Sequence, residues 1–402
     1  MRLPLEGIKI ADFSWVIVGP YCTQWLAVMG AEVIRIESSR HLDILRRLPP
    51  FAEGVEGFNR SGLYNSVNMS KKSCTLNLDD PRGAELAKKI VEISDVVVEQ
   101  YSYGTMERWG LGYDSLRELK PELILVSSSG MGRSGPEQDF SAYNEEFLAY
   151  SGLALLTGYE NGPPVMTGSV WADYQTGLNL TIAILTALYH RTKTGEGQFI
   201  DIAMIESVMS QMIEPIMDYV MNGRVRGPMG NLEDALSPHG CYPCSGHDEW
   251  VAIAVTNDNE WLALCSAAGK PEWAVDKRFA SLFERWRNRS ELDQLISEWT
   301  KQYTNQELTE ILQRAGVPSG PKLSNEEVVE DPHLNSRGFF VTPDHPETGK
   351  LAVPGIPWKL STTPAKIEPA PLLGQDNEYV FCELLGMSIE NFAELVGEGI
   401  IL

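Results

Sequence analysis

The chain has 402 residues, 43% hydrophobic and 22% charged, an ordinary globular composition that excludes a largely disordered protein. Its formal net charge of −22 argues against nucleic-acid or anionic-membrane binding, because phosphate-tracking surfaces are basic. No apolar run reaches the roughly 18 residues of a membrane span, no signal-peptide core opens the chain, and the 6 cysteines are scattered, so a cytoplasmic protein with reduced thiols is expected.

Residues 7–13 read as a short apolar strand. Gly19-Pro20 opens a helix, since proline is tolerated in a first turn. Residues 31–37 (AEVIRIE) are a second strand, and Asp79-Asp80-Pro81 starts an amphipathic helix to about residue 93. Residues 95–101 and 123–128 are a third and a fourth strand. This alternation predicts an α/β fold with a mostly parallel, Rossmann-like sheet. No Gly-x-Gly-x-x-Gly follows the first strand, so the dinucleotide fingerprint is absent. Ligands of open α/β sheets still bind at the carboxyl ends of strands, where residues 14–18 and 100–108 fall.

Residues 142–157 and 170–190 read as buried helices, and residues 198–205 as a further strand. The texture changes near Gly223. We therefore divide the chain into a large Rossmann-like domain (1–223), a smaller α+β domain (224–330) and a C-terminal strap (331–402). The strap is proline-rich at 343–371, returns to the first domain, and closes with a helix near 375–386. Repeats and low-complexity tracts are absent.

Asp173 is the only acid between Glu160 and Glu196, and it stands just before the apolar run 178–188. At a helix N-terminus the macrodipole would keep it ionised. An ionised carboxylate in a water-poor site is a nucleophile for an activated acyl group. Asp is also a favoured N-cap, and that reading needs no chemistry. His239, Cys241, Cys244 and His247 invite a zinc reading, but four ligands from nine residues are a tight geometry. A strand–turn–strand with cysteines as small hydrophobes explains them equally, and no metal is expected. Lys71-Lys72, Arg40, Arg46-Arg47 and Arg108 are candidate phosphate contacts; Lys71 and Arg108 fall beside strands that should end at the cleft. The hydroxyl of Tyr143 is placed to hydrogen-bond a carboxylate. Gly-x-Ser-x-Gly is absent, which leaves a serine hydrolase without support.

Several blocks occur in a telling order. They are Leu5-Glu-Gly-Ile-Lys9 into Asp12-Phe13, Gly19-Pro20, residues 30–37, Asn68-x-x-Lys71-x-Ser73 and Val98-Glu99. Then come Asp173-x-x-x-Gly177, residues 187–198, Gly316-Val-Pro318, Asp331-Pro-His-Leu334 with Arg337-Gly-Phe339, and Pro371-Leu-Leu-Gly374. Together they resemble the class III coenzyme A transferases, a family that includes formyl-CoA, carnitine and benzylsuccinate CoA-transferases. The resemblance implies a Rossmann-like large domain, a small domain, and two chains interlocked as a dimer. It implies that Asp173 is the nucleophile, passing through an aspartyl anhydride and an aspartyl-CoA thioester. It implies coenzyme A contacts at Val16, Lys71, Gln100, Tyr101, Met106 and Arg108, with CoA as substrate and no further cofactor.

Departures from the family pattern bear on the substrate. Gln100 stands where Asn is usual, Tyr101 where Phe is usual, and Ile17 where formyl-CoA transferases carry Gln. Residues 229–238 replace the glycine-run loop of that branch. Trp15, Ile17 and Tyr143 would wall the acyl site, and an acid larger than formate or oxalate is expected, with succinyl-CoA as donor. The same fold hosts α-methylacyl-CoA racemases, whose His aligns with Tyr143, and an epimerase or intramolecular CoA-transfer isomerase is the alternative. Phenols are poor bases near neutral pH. A homodimer, or a heterodimer with a paralogous subunit, is the expected assembly.

Overall fold

The computed structural model describes residues 2–402. The chain divides into two compact units, one holding residues 2–154, 166–225 and 332–402, the other residues 155–165 and 226–331.

The first unit is built on six parallel strands: Lys9–Asp12 (β1), Glu32–Glu37 (β2), Lys72–Thr75 (β3), Val96–Glu99 (β4), Ile124–Ser129 (β5) and Gln198–Ala203 (β6). They lie in the order β3-β2-β1-β4-β5-β6, so the winding reverses between β1 and β4. The sequence reading found five of these strands. It missed β3, whose four residues (KSCT) carry no hydrophobic alternation, although three of them are buried. The edge strand is closed instead by the chain's end: the amides of Ser73 and Thr75 donate to the side chains of Asp376 and Asn377, each at 2.8 Å.

The helices of this unit in chain order are Val18–Val28 (α1), Gly62–Val67 (α2), Pro81–Glu92 (α3), Thr105–Arg108 (α4), Tyr113–Leu119 (α5), Asn144–Tyr150 (α6), Leu153–Leu156 (α7), Trp171–Thr194 (α8), Met204–Met209 (α9) and Ile213–Asn222 (α10). Alternate strand residues feed two cores. Ile10, Val33, Val98 and Val126 pack with Leu26 of α1 and with Leu180 and Ile184 of α8. Ala11, Ile34, Val97 and Leu125 pack with Leu86 and Ile90 of α3 and with Phe381 and Leu395 near the C-terminus. A sheet buried on both faces accounts for its near-continuous apolar runs.

Three expected elements differ. The single helix over 142–157 is two short ones, parted at Gly152, which has φ +89°. Helix α8 is not wholly buried: Ile182 and Tyr189 are 63% and 66% exposed. The closing α-helix is Ile389–Gly397, not 375–386; Tyr379–Leu384 is a π-helical turn, Gly386 (φ +68°) ends that segment, and Ser388 caps the next. Within the strap, Phe340–Val341 pairs with Val353–Pro354, and Asp344–His345 with Gly349–Lys350.

The second unit is α+β. His239–Pro243 (β7), Trp250–Ala254 (β8) and Ser319–Pro321 (β9) form an antiparallel sheet. Val251 and Ile253 point into a core with Trp261, Leu264, Ile296 and Leu308 from its helices. Among the described residues no helix is long and apolar enough to cross a membrane.

Candidate active site

Asp173 is the third residue of α8, so the N-cap reading is overturned; the cap position belongs to Val170, which offers no side-chain bond. The capping is done from outside the helix. Asn144, 4% exposed at the start of α6, accepts a hydrogen bond from the Ala172 amide at 3.0 Å. The Trp171 amide is engaged by the Ser169 carbonyl. Asp173 is 9% exposed, and among the described residues its carboxylate has no hydrogen-bond or ion-pair partner. Burial, with a smaller contribution from the nearby Glu145 charge, pushes its carboxyl up to about 7. Burial therefore works against the ionisation that the helix terminus favours.

Helix α8 meets α1 through Gly177, where a Cβ would lie 2.9 Å from the Val18 carbonyl oxygen and 3.1 Å from the Tyr21 ring. That close approach brings the first turn of α8 onto the loop after β1. Val170 and Tyr174 share one apolar cluster with Val16, Ile17, Leu45 and Tyr64. In that loop Val16 has φ +60°, a costly conformation for a β-branched residue. Its amide is held by Asp43 Oδ2 at 3.1 Å. Gly19 permits the turn into α1, because a Cβ there would sit 2.2 Å from that of Ser14. Gln100 accepts the Gly19 amide at 3.0 Å and so tethers the end of β4 to α1. Ile17 is buried, Trp15 is half-exposed, and Tyr143 is 76% exposed at the start of α6.

The cations predicted from the sequence separate sharply. Lys71 is not at a cleft mouth: its side chain is fully buried, donating to Asp12 at 3.2 Å, the Pro20 carbonyl at 2.8 Å and Asn68 at 2.9 Å. Burial pushes its amine down to about 8, with Asp12 opposing. Burial would raise Asp12 in turn, but Lys71 and Arg35 outweigh it and hold the carboxyl below its ordinary value. Arg46 is also buried, bonded to both oxygens of Glu37 at 2.8 and 2.7 Å, and is no phosphate contact. Lys72 lies over the Tyr379 ring, 3.6 Å from Asp376. Arg40, Arg47 and Arg108 remain exposed. Arg108 donates only to the Thr105 hydroxyl, at 3.2 Å. Met106 is a core residue.

A cavity of about 410 Å³ opens at the carboxyl ends of β1, β2 and β3, lined by Trp15, Arg35, Arg40, Arg47, Leu78 and Tyr101 among others. Tyr101 packs edge-on against Trp109 at 5.2 Å and lies 6.0 Å from Trp15. Buried Arg35 has two guanidinium nitrogens, Nε and Nη1, without a hydrogen bond. Sequence reasoning missed Asn144, Asp43 and Arg35. None of them left a sequence signal, because each acts on a segment far along the chain. Among the described residues no cluster of His, Cys, Asp or Glu is arranged to hold a metal ion. Cys241 is exposed on β7, whereas Cys244 is buried in the core of its unit.

A doubly wound sheet with a buried, partnerless aspartate beside a strained loop at the strand ends defines a ligand-binding α/β enzyme. Residues 5–377 match the CoA-transferase family III model, and the chain belongs to that family and is a CoA-transferase. It is 35% identical to the succinate–glutarate CoA-transferase of Agrobacterium fabrum, over 95% of this chain and 96% of that one. It is also 35% identical to the succinyl-CoA–L-malate CoA-transferase beta subunit of Chloroflexus aurantiacus, over 99% and 98% of the two chains. The crystal structure of a CAIB/BAIF family protein from Brucella suis superposes with a TM-score of 0.88 at 31% identity, covering 96% of this chain and all of that one.

Proposed function

We propose that the enzyme moves coenzyme A from a dicarboxylic acyl-CoA, succinyl-CoA, to a second carboxylic acid larger than formate or oxalate, with Asp173 as nucleophile. The observation that carries this reading is the Asp173 carboxylate itself, buried and without a protein partner at the start of α8. A carboxylate in that setting is poorly solvated and free to attack. The named relatives support the substrate class, since succinate, glutarate and malate are all dicarboxylates.

The Asp173 carboxylate attacks the thioester carbonyl, the C–S bond breaks, and CoA thiolate leaves behind a mixed anhydride. The thiolate then attacks the Asp173 carbonyl, the anhydride C–O bond breaks, and the donor acid departs, leaving an aspartyl-CoA thioester. The acceptor carboxylate displaces the thiolate to form a second anhydride. The thiolate finally attacks the acceptor's carbonyl and returns Asp173 to its free carboxylate. No net proton or electron is exchanged. Water must be kept out, because it would hydrolyse each anhydride. The CoA phosphates are assigned to two exposed cations, Arg40, which lines the cavity at the strand ends, and Arg108, next in the chain to the lining residue Trp109.

The exposed apolar faces of α8 and α10 support a dimer: Ile182, Tyr189, Ile213, Val220 and Met221 are each more than half exposed. A relative named as a beta subunit makes a paralogous partner as fitting as a second copy.

The test is incubation with succinyl-CoA and a panel of free acids, read by mass spectrometry for new thioesters. Hydroxylamine added during turnover should mark Asp173 alone, and Asp173→Ala should abolish transfer. Near-normal turnover by Asp173→Ala would sink the proposal.

A further inference from the structure

Arg46 and Arg47 are adjacent, yet the fold uses them in opposite ways. Arg46 is consumed by Glu37. Arg47 is exposed, lines the cavity at the strand ends, and has no hydrogen bond or ion pair among the described residues. The other arginines of that cavity are engaged: Arg35 contacts Asp43, and Arg40 reaches the Gly399 carbonyl at 3.3 Å.

Arg47 is also set on a rigid mount. It ends a 3-10 turn, Ile44–Arg47, capped by Asp43, which accepts the Leu45 amide at 2.9 Å. The same Asp43 holds the amide of Val16. Leu45 packs in the cluster that contains Val16, Ile17 and, from the first turn of α8, Val170 and Tyr174. The turn carrying Arg47 is therefore tied both to the strained loop and to the helix that presents Asp173.

Resting on the transferase reading above, we infer that Arg47 binds the remote carboxylate of a dicarboxylic acyl group and so sets the preference for dicarboxylic over monocarboxylic substrates. A second carboxylate must be bound by a protein of net charge −22. It needs a local cation, and among the described residues Arg47 is the arginine of this cavity with no hydrogen bond or ion pair. Planar guanidinium also suits a carboxylate fork better than a point charge would. Arg40 and Arg108 remain for the phosphates.

The test compares succinyl-CoA with butyryl-CoA, which have the same chain length but differ by the remote carboxylate, and glutarate with pentanoate as acceptors. For Arg47→Gln, the ratio of kcat/KM for succinyl-CoA over butyryl-CoA should fall by about 10- to 100-fold, as expected for loss of a charge-assisted contact. The glutarate-to-pentanoate ratio should fall likewise, and Arg47→Lys should restore part of each. An unchanged ratio overturns the inference. Equal losses on both acyl-CoAs overturn it too, by showing that Arg47 meets a CoA phosphate. If the wild type transfers CoA to some acid yet does not prefer dicarboxylates, Arg47 alone has been misassigned. If the wild type transfers to no acid, the transferase reading falls with it.

Discussion

With its carboxyl pushed up to about 7 by burial and by Glu145, Asp173 exchanges its proton near neutrality, and in the proposed mechanism only its ionised form attacks. The kcat/KM for acyl-CoA should therefore fall about tenfold per pH unit below 7 and level off above. Glu145→Gln removes the like charge and should move that inflection to lower pH; an unmoved profile would show that Glu145 does not act on Asp173. The stability effect has the opposite sign. A carboxyl whose folded value lies above its ordinary 3.8 binds its proton more tightly when folded. It therefore favours folding at low pH, and that contribution is lost as pH rises from about 4 through about 7. Asp173→Asn should consequently be more stable than the wild type at pH 8, by about 2–4 kcal/mol relative to the same comparison at pH 4, while remaining inactive. Thermal melts at the two pH values check this. Lys71 and Arg108, paired as phosphate contacts by the sequence, should behave differently. Lys71→Met removes the nearest cation from buried Asp12, leaving Arg35 at 3.8 Å, and should destabilise by about 3–5 kcal/mol. Arg108→Ala should leave stability alone and raise KM for acyl-CoA by about 10- to 100-fold, with kcat little changed.

Helices α1 and α8 work as a pair whose spacing is set by Gly177. An alanine there meets the Val18 carbonyl oxygen at 2.9 Å, a backbone atom that cannot rotate away. Gly→Ala inside a helix ordinarily stabilises by up to about 1 kcal/mol. Here the clash should win, for a net loss of about 1–3 kcal/mol. Moving α8 from α1 also moves Asp173 from the loop at Val16, so kcat should drop by far more than KM rises. A Gly177→Ala enzyme with wild-type kcat would show that this helix contact does not position the nucleophile. Asn144 acts on the same element from the other side. Its hold on the Ala172 amide fixes the first turn of α8 and seats α6, with Glu145, near Asp173.

At the scale of the molecule, the proposed dimer rests on α8 and α10, whose Ile182, Tyr189, Ile213, Val220 and Met221 are each more than half exposed. Val220→Glu together with Ile182→Lys should convert a dimer to monomers in sedimentation. Both residues are more than half exposed, so each unit should keep its own fold. A wild-type protein that sediments as a monomer would remove the dimer from the proposal.

Much of this was legible in the chain because it depends on local pattern. Apolar runs and the caps at Asp80-Pro81 marked the strands and helices of the parallel sheet, and the solitary acid before residues 178–188 marked Asp173. Strand β3 and the break at Gly152 escaped, since the four residues KSCT carry no apolar alternation and acquire strand character only by pairing with β2. The roles of the cations could not be read at all. Lys71, Arg46 and Arg47 look alike in sequence, and which of them is spent on a buried acid depends on contacts with Asp12 and Glu37 from other strands. Sequence by itself determined the class of fold and the family and singled out Asp173 as the candidate nucleophile, all of which rest on short-range order. Only the tertiary structure decided the burial of Asp173, the capping of α8 by Asn144, and which arginine among the described residues was left free, because burial and pairing are properties of segments brought together across the chain.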